Sequence, residues 1–233
     1  MRLAIMQPYL FPYIGYFQLI HGMDQFVILD DVQYIKKGWI NRNRLLLDGK
    51  AHAFTFSLKK ASHRLPIKER YFVDDHGVEK ESFMGLMALA YRKAPHYRET
   101  AAFIEDLLGF DELNVAEFIR HSLEEICKYL GIKTSFHVSS RLKRTEVSDR
   151  LSRLLGIMTI MGSTQYINPI GGRELYSKEE FAGHGMTLNF LRTKPILYRQ
   201  GDHAFVESLS IIDVMMFNSR DEIRRLLTAY EFF

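Results

Sequence analysis

The chain has few of the residues that build disulfides, metal centres or covalent intermediates. Its 233 residues include one cysteine, Cys127, so no internal disulfide can form. Cys127 lies in a segment with helical apolar periodicity, which favours a buried thiol over a nucleophile. The nine histidines are scattered, and none has a metal-ligand spacing with a carboxylate. We therefore expect no zinc site and no cysteine-based catalysis.

The sequence also lacks the short motifs that mark common enzyme classes. It contains no GxGxxG, no Walker lysine loop, no HExxH, no GxSxG and no CxxC. These absences argue against membership of five enzyme classes, namely dinucleotide enzymes, P-loop enzymes, zinc proteases, serine hydrolases and thiol oxidoreductases. No residue is identified as catalytic.

Long apolar runs and a strong charge of one sign are absent as well. No stretch of about 18 apolar residues occurs, and the N-terminus has no signal-peptide pattern, so we expect a cytoplasmic protein without a membrane span. The formal net charge of +3 is nearly balanced and favours no broad nucleic-acid surface. With 47% hydrophobic residues the chain can bury a full core. The oligomeric state is not indicated.

What the sequence does have is an alternation of strand and helix patterns, which predicts an α/β fold with a mostly parallel sheet and flanking helices. Asp48-Gly49 predicts a hairpin at a sheet edge. We expect one domain over residues 1–233, with a helical insert at 78–130. The later segments predict a strand, a helix, two more strands and C-terminal helices, in the ranges 134–138, 149–161, 165–168, 186–190, 210–217 and 220–230.

The densest cluster of candidate binding residues follows the first predicted strand, 3–6. Two prolines stiffen this loop, because neither offers an N–H and each biases its predecessor toward extended geometry. A glycine then permits close backbone approach at the start of a helix, an arrangement that favours an anion. The candidate substrate-binding residues here are Gln7, Pro8, Tyr13, Gly15 and Tyr16.

A second cluster follows the next predicted strand, 25–29. A tryptophan among cationic and amide side chains suits a sugar or base ring beside a phosphate. If the two strands are parallel neighbours, both loops leave one sheet edge and can line one pocket. The candidates here are Asp30, Asp31, Gln33, Trp39, Asn41 and Arg42. Asp30 and Asp31 offer oxygen ligands for a nucleotide's magnesium, although adjacent strand residues face opposite ways and at most one can enter a given pocket.

Two later loops supply weaker candidates. Ser140 follows the predicted strand 134–138, and Arg173 lies in the Gly171-Gly172-Arg173 turn. Structural roles compete with all of these assignments, since the aromatic side chains of the first loop can wedge its helix against the sheet. Trp39 can cover the hairpin, and Lys36, Lys37 and Arg44 are individually better explained as solvated side chains.

The segments QPYLFPYIGYFQLI, DQFVILDDVQYIKKGWINRN, YRKAPHY and LSIIDVMMFN resemble the WbqC-like proteins found among bacterial O-antigen and surface-polysaccharide genes. The resemblance covers essentially the whole chain. It implies a transferase of polysaccharide biosynthesis that passes an aminoacyl group such as glycine to an amino-sugar. A phosphorylated or nucleotide-linked sugar is then the expected partner, and the resemblance assigns no catalytic residue.

The order of the first elements also resembles the opening βαβ unit of nucleotidyltransferases and adenylate-forming ligases, with Ser139-Ser140-Arg141 similar to their second phosphate-contacting loop. Tyr13 and Tyr16 stand where those enzymes carry histidines. An adenylate mechanism would require ATP and magnesium, whereas the residues themselves identify no cofactor. The alternative is a noncatalytic sugar-nucleotide-binding or scaffold protein, which the lack of a recognisable nucleophile favours.

Overall fold

The computed structural model describes residues 1–143 and 149–233. A six-stranded sheet runs through the molecule in the order β5-β2-β1-β6-β7-β8, and β3 and β4 form a separate two-stranded sheet. The strands are β1 Arg2–Met6, β2 Gln25–Ile28, β3 Arg42–Leu47, β4 Lys50–Thr55, β5 Ser135–Val138, β6 Gln165–Pro169, β7 Thr187–Thr193 and β8 Tyr230–Phe232. The helices are α1 Ile14–His21, α2 His76–Tyr91, α3 Tyr97–Leu108, α4 Val115–Leu130, α5 Arg150–Ile160, α6 Lys178–Gly183, α7 Ile211–Phe217 and α8 Arg220–Leu227.

All neighbouring strands of the large sheet are parallel except the last pair, β7 and β8. This topology confirms the predicted α/β fold with a mostly parallel sheet. The chain builds outward from β1 to β2 and β5, then returns to the other side of β1 with β6 and β7. The strand order therefore reverses between β1 and β6, and such a reversal opens a crevice at the carboxyl ends of the two strands.

Alternation along the strands divides the interior into two cores. In β1, Leu3 and Ile5 pack with α5 and α6 on one face of the sheet, whereas Ala4 packs with α1, α4, α7 and α8 on the other. Successive strand side chains point to opposite faces, so a strand buried on both sides reads as a continuous apolar run. The opening LAIM of the sequence is such a run.

The segment 78–130, predicted as helical, forms most of α2 and all of α3 and α4. The Asn114 side chain caps α4 by accepting hydrogen bonds from the backbone N–H groups of Ala116 and Glu117, at 3.0 and 3.2 Å. Gly131 ends the same helix in the left-handed region, at φ 78°. Cys127 lies buried on α4, and burial raises the pKa of its thiol, as the sequence predicts.

Two predictions about the smaller elements need correction. The hairpin around Asp48-Gly49 exists but joins no edge of the large sheet, since β3 and β4 pair only with each other. The C-terminal helix ends at Leu227 rather than 230, and Tyr230–Phe232 pairs antiparallel with β7. Three residues are too few for a strand to show its period, so sequence patterning could not reveal β8.

A buried carboxylate joins the helical block to the C-terminal segment. Asp213 on α7 is fully buried and accepts hydrogen bonds from the hydroxyls of Tyr91 and Tyr198, at 2.9 and 2.6 Å. The side-chain amide of Gln200 donates a third, at 2.8 Å. Burial raises the pKa of Asp213, and these three neutral donors partly offset the shift.

Neither a membrane-spanning helix nor a cluster of metal ligands is found within residues 1–143 and 149–233. No helix there is long and apolar enough to cross a membrane. No group of three or more histidine, cysteine, aspartate or glutamate side chains is arranged to hold a metal ion.

Candidate functional site

A large cleft lies at the point where the strand order of the sheet reverses. Its volume is about 1070 Å³. The loop after β1 forms one wall and the loop after β6 forms another, with the loop after β2 and the first turns of α5 completing it. This is the position at which open α/β sheets place their ligands. The shape of the fold alone therefore marks the cleft as the candidate site.

The side chains around the cleft are cationic and aromatic. Lys36, Arg150 and Arg153 bring positive charge, and His63 adds an imidazole. No aspartate or glutamate is found among the lining residues in the described part of the chain. Rings line much of the remainder, namely Tyr9, Tyr13, Tyr16, Tyr34, Trp39, Tyr166 and Tyr176. Positive charge beside aromatic surface suits an anionic ligand that carries a ring.

The lining tyrosines are neutral hydrogen-bonding groups at physiological pH. Burial raises the pKa of Tyr9, Tyr13 and Tyr16, with the largest shift at the fully buried Tyr16. Burial also raises the pKa of Tyr176, and nearby Arg150 opposes that shift. Phenols of this kind stay protonated, so those that reach the cleft can donate hydrogen bonds to phosphate or sugar oxygens.

The loop after β1 is held in a strained conformation. Phe11 has φ 43°, in the left-handed region that a bulky residue rarely adopts. The buried Asn43 amide fixes this turn by donating hydrogen bonds to the carbonyls of Leu10 and Phe11, at 2.9 and 2.6 Å. Ser210 donates a further bond to the Phe11 carbonyl, at 2.8 Å. Strain of this kind persists only where the surroundings over-determine it, and it clusters at binding sites.

Gly15 is required by the close approach of the Tyr13 ring. A Cβ atom at position 15 would overlap that ring, so only glycine leaves the aromatic group where it is. The Tyr16 hydroxyl donates a hydrogen bond to the Gln7 carbonyl at 2.8 Å, which ties the start of α1 back to the end of β1. The two residues thus shape the wall formed by the first loop.

Trp39 forms an exposed aromatic surface close to two guanidinium groups. The Cζ atoms of Arg42 and Arg44 lie 5.6 and 5.2 Å from its ring centroid. The Trp39 carbonyl accepts a hydrogen bond from the Leu10 N–H at 3.2 Å, which anchors this segment to the first loop. The ring is 38% exposed and faces the cleft. It is therefore a rigid platform rather than a core side chain.

The structure brings about half of the residues predicted as substrate-binding to this cleft. Those lining it are Gln7, Tyr13, Gly15, Tyr16, Gln33 and Trp39. Because β1 and β2 are parallel neighbours, as the sequence argument assumed, loops from both strands contribute. Gly171 and Gly172 also line the cleft, whereas Arg173 does not, and its guanidinium lies 6.0 Å from the Phe233 ring.

The acidic candidates and Ser140 lie apart from the cleft lining and contact one another. Asp30 is buried, and its carboxylate accepts hydrogen bonds from the hydroxyls of Ser139 and Ser140, at 2.9 and 2.6 Å. The Ser139 hydroxyl also contacts Asp31, at 2.7 Å. These bonds join the ends of β2 and β5. The geometry therefore gives Asp30 a role in holding the sheet edge together.

Asn41, Arg42 and Pro8 do not line the cleft either. Asn41 and Arg42 have partners within the protein, and Pro8 is buried. The Asn41 amide donates to the Phe56 carbonyl at 2.7 Å and accepts from the Tyr34 hydroxyl at 2.8 Å. The Arg42 guanidinium donates to the backbone carbonyls of residues 38 and 37. Pro8 is buried behind the loop. Their binding roles stay predictions.

Sequence reasoning missed the cations and polar groups that come from the far side of the cleft. Arg150 and Arg153 lie in the first turn of α5, and Asn168 is the last residue but one of β6. Tyr176 follows the short 3-10 turn Ile170–Leu175. Their spacing in the sequence carries no motif, because they meet the first loop only through the return of the chain to β6. The order of strands, which the sequence does not display, was the missing signal.

Comparisons with known proteins agree with the motifs of the first loop. The model of the WbqC-like protein family matches residues 7–225. A protein of Mycobacterium tuberculosis (strain ATCC 25618 / H37Rv), described as uncharacterised, is 28% identical over 218 residues that cover 92% of each chain. No solved structure matches, so the resemblance to nucleotidyltransferases gains no structural neighbour. Since the family model spans nearly the whole sequence, the chain belongs to the WbqC-like protein family.

Proposed function

We propose that the protein is a cytoplasmic transferase of bacterial surface-polysaccharide biosynthesis, and that its cleft binds a nucleotide-linked amino-sugar. The observation that carries this proposal is the composition of the cleft at the strand reversal between β1 and β6. Lys36, Arg150 and Arg153 bring positive charge to the cleft, while Tyr13 and Trp39 offer ring surfaces. A nucleotide-linked sugar presents both a diphosphate and rings.

The residues of the cleft suggest how such a ligand is bound. Guanidinium groups form paired, charge-assisted hydrogen bonds with phosphate oxygens, so Arg150 and Arg153 would hold the diphosphate. A flat ring would stack on the exposed face of Trp39, as rings and cations do on indole surfaces. The neutral phenols and the amide of Asn168 would supply hydrogen bonds to sugar hydroxyls. Pro8, Asp30, Asp31, Asn41, Arg42, Ser140 and Arg173 would then act by shaping or supporting the site.

The proposed reaction passes an aminoacyl group, such as glycine, to the amino group of the sugar. The amine nitrogen attacks the activated carboxyl carbon, a C–N bond forms, and the bond to the leaving group breaks. The amine also loses a proton, which requires a base. His63 is the only lining histidine in the described part of the chain and is the proposed acceptor of that proton. If activation occurs on this protein, ATP and magnesium are needed.

A binding screen followed by a reaction assay tests this function. Purified protein is screened against nucleotide-sugars by thermal shift, because a ligand of the native state raises the unfolding temperature. We expect an amino-sugar nucleotide to give the largest shift, and Arg150→Gln with Arg153→Gln to abolish it. The bound sugar is then offered with ATP, magnesium and each amino acid, while pyrophosphate release and product mass are measured. Product formation without ATP from a pre-activated donor would point to direct transfer.

A noncatalytic sugar-nucleotide-binding or scaffold protein is the second candidate. The specific observation in its favour is that the described cleft lining offers neither a carboxylate nor a cysteine as base or nucleophile. Tight nucleotide-sugar binding with neither pyrophosphate nor transferred product across the full donor and acceptor panel would select this function. His63→Gln distinguishes the two, since it would abolish transfer while leaving binding intact in the enzyme.

A further inference from the structure

A second, smaller pocket opens beside the large cleft and shares part of its wall. Its volume is about 230 Å³, below the range typical of drug-sized ligands. Tyr9, Tyr13 and Trp39 belong to both spaces. Asn43, Arg44 and Ser208 line the smaller pocket and not the large cleft. The three shared rings therefore stand between two adjoining spaces of different size.

Arg44 gives this pocket a single positive charge. Its Nη2 donates to the Ser208 carbonyl at 3.0 Å, and its guanidinium lies over the Trp39 ring. Its Nε is buried without a hydrogen-bond acceptor, and no carboxylate pairs with Arg44 within residues 1–143 and 149–233. A guanidinium held in one orientation with no counter-charge is prepared for an anion.

The backbone around the pocket is fixed in strained geometry on two sides. Ser208 has φ 57° and Phe11 has φ 43°, both in the left-handed region. The strained turns are held together because the Ser210 N–H donates to the Arg44 carbonyl at 3.0 Å, and the Ile211 N–H to the Pro12 carbonyl at 2.9 Å. Non-glycine residues in this region cost about 1–3 kcal/mol each and are found at ligand sites. The pocket is thus preorganised rather than a gap between loops.

We propose that this pocket binds the carboxylate of a small monocarboxylic acid, of about the size of an amino acid. A phosphate dianion normally recruits several cations or N–H donors, whereas here one guanidinium borders a pocket with aromatic walls. A single carboxylate matches one guanidinium, and a compact remainder fits the rings. The role of this acid as the group passed to the sugar rests on the function proposed above; its binding does not.

The chain contains its own probe for this binding. Trp39 is the only tryptophan, so the intrinsic fluorescence of the protein reports directly on a wall of the pocket. Glycine, the other amino acids, acetate and inorganic phosphate are titrated separately. We expect at least one monocarboxylate to change the fluorescence saturably, and phosphate to leave it unchanged. Arg44→Gln should weaken that binding about 10-fold or more, as expected for loss of a charge-assisted hydrogen bond.

Two further variants control for folding and for charge. Arg44→Lys keeps the charge but loses the planar fork, so it should bind more weakly than the native protein and more tightly than Arg44→Gln. Arg98→Gln removes an exposed arginine on α3 and should change nothing. Native thermal transitions of all three variants establish that each is folded; if Arg44→Gln is not, Arg44→Lys decides alone.

Three results would overturn the assignment. The first is that no carboxylate gives a saturable response at concentrations up to about 10 mM, which corresponds to binding far weaker than a substrate normally shows. The second is unchanged carboxylate binding in the Arg44 variants. The third is a response to phosphate alone. Failure of the proposed function looks different. In that case nucleotide-sugars give no thermal shift, while the carboxylate response and its dependence on Arg44 remain.

Discussion

The loop that forms the cleft depends on a single buried amide, and its replacement gives a quantitative test. In Asn43→Ala the two hydrogen bonds donated to the Leu10 and Phe11 carbonyls are lost, together with the bond that Asn43 Oδ1 accepts from the Arg44 N–H at 2.8 Å. At about 1 kcal/mol for each bond, the free energy of unfolding should fall by about 3 kcal/mol. Since domains are stable by about 5–15 kcal/mol, the variant should still fold.

Asn43→Asp separates the donors from the volume of the side chain. The carboxylate keeps the shape and still accepts from Arg44 N–H, but it points an oxygen at two carbonyl oxygens in a buried site. We expect it to destabilise at least as much as Asn43→Ala, because an uncompensated buried charge is added to the lost bonds. Ser210→Ala removes one bond to Phe11 and a helix cap, and should cost about 1–2 kcal/mol.

Urea unfolding, followed by far-UV circular dichroism, measures all three variants against the native protein. Hydrogen exchange should also show faster opening of residues 9–13 in the Asn43 variants, because the strained turn then relaxes. If both Asn43 variants unfold within 0.5 kcal/mol of the native protein, which is the range of ordinary surface substitutions, the amide does not hold the loop. The first loop would then not be preorganised by Asn43.

Three further predictions follow from individual contacts. Gly15→Ala should leave the unfolding free energy unchanged or raise it by up to about 1 kcal/mol through helix propensity. It should nevertheless weaken binding of the nucleotide-sugar found by thermal shift, because the Tyr13 ring must move. Equal affinity of the variant and the native protein would contradict this prediction. Cys127 should resist Ellman's reagent until the protein unfolds, since burial raises its thiol pKa, and fast labelling of native protein would count against the buried position. Burial raises the folded pKa of Asp213 above its ordinary value of 3.8, so its stabilising contribution is complete below that value and is lost as the pH rises through the folded pKa. The free energy of unfolding of Asp213→Asn should therefore rise relative to that of the native protein between pH 4 and pH 7. If urea titrations at these pH values give the same difference between the two proteins, the raised pKa is refuted.

Local chemistry in the sequence was sufficient to predict much of the fold. The apolar run at Leu3, the Asp48-Gly49 pair and the helical pattern that stops at residue 130 locate a buried strand, a hairpin turn and a helix end, and the structure has each of them. Such signals lie within a few residues of one another. The separation of the β3-β4 hairpin from the large sheet and the pairing of β8 with β7 depend on segments distant in the sequence, so local patterns could not predict them.

The contrast between local signals and distant pairings also explains which residues of the candidate site could be predicted. Residues of the first two loops could be proposed from sequence because β1 and β2 follow each other in the chain and pair in parallel. Arg150 and Arg153 are brought opposite them by the return of the chain to β6, so no local pattern marked them. Among neighbouring arginines, the choice between Arg42 and Arg44 depends on which carbonyls each one contacts. Such contacts are properties of the fold alone.

The most direct test of the account is a crystal structure of the protein with the nucleotide-sugar that gives the largest thermal shift. We predict density in the cleft between the loops after β1 and β6, with the diphosphate on Arg150 and Arg153 and a ring against Trp39. Ordered ligand in the separate cavity bordered by Arg92 and Arg199, with the cleft empty, would contradict the central claim.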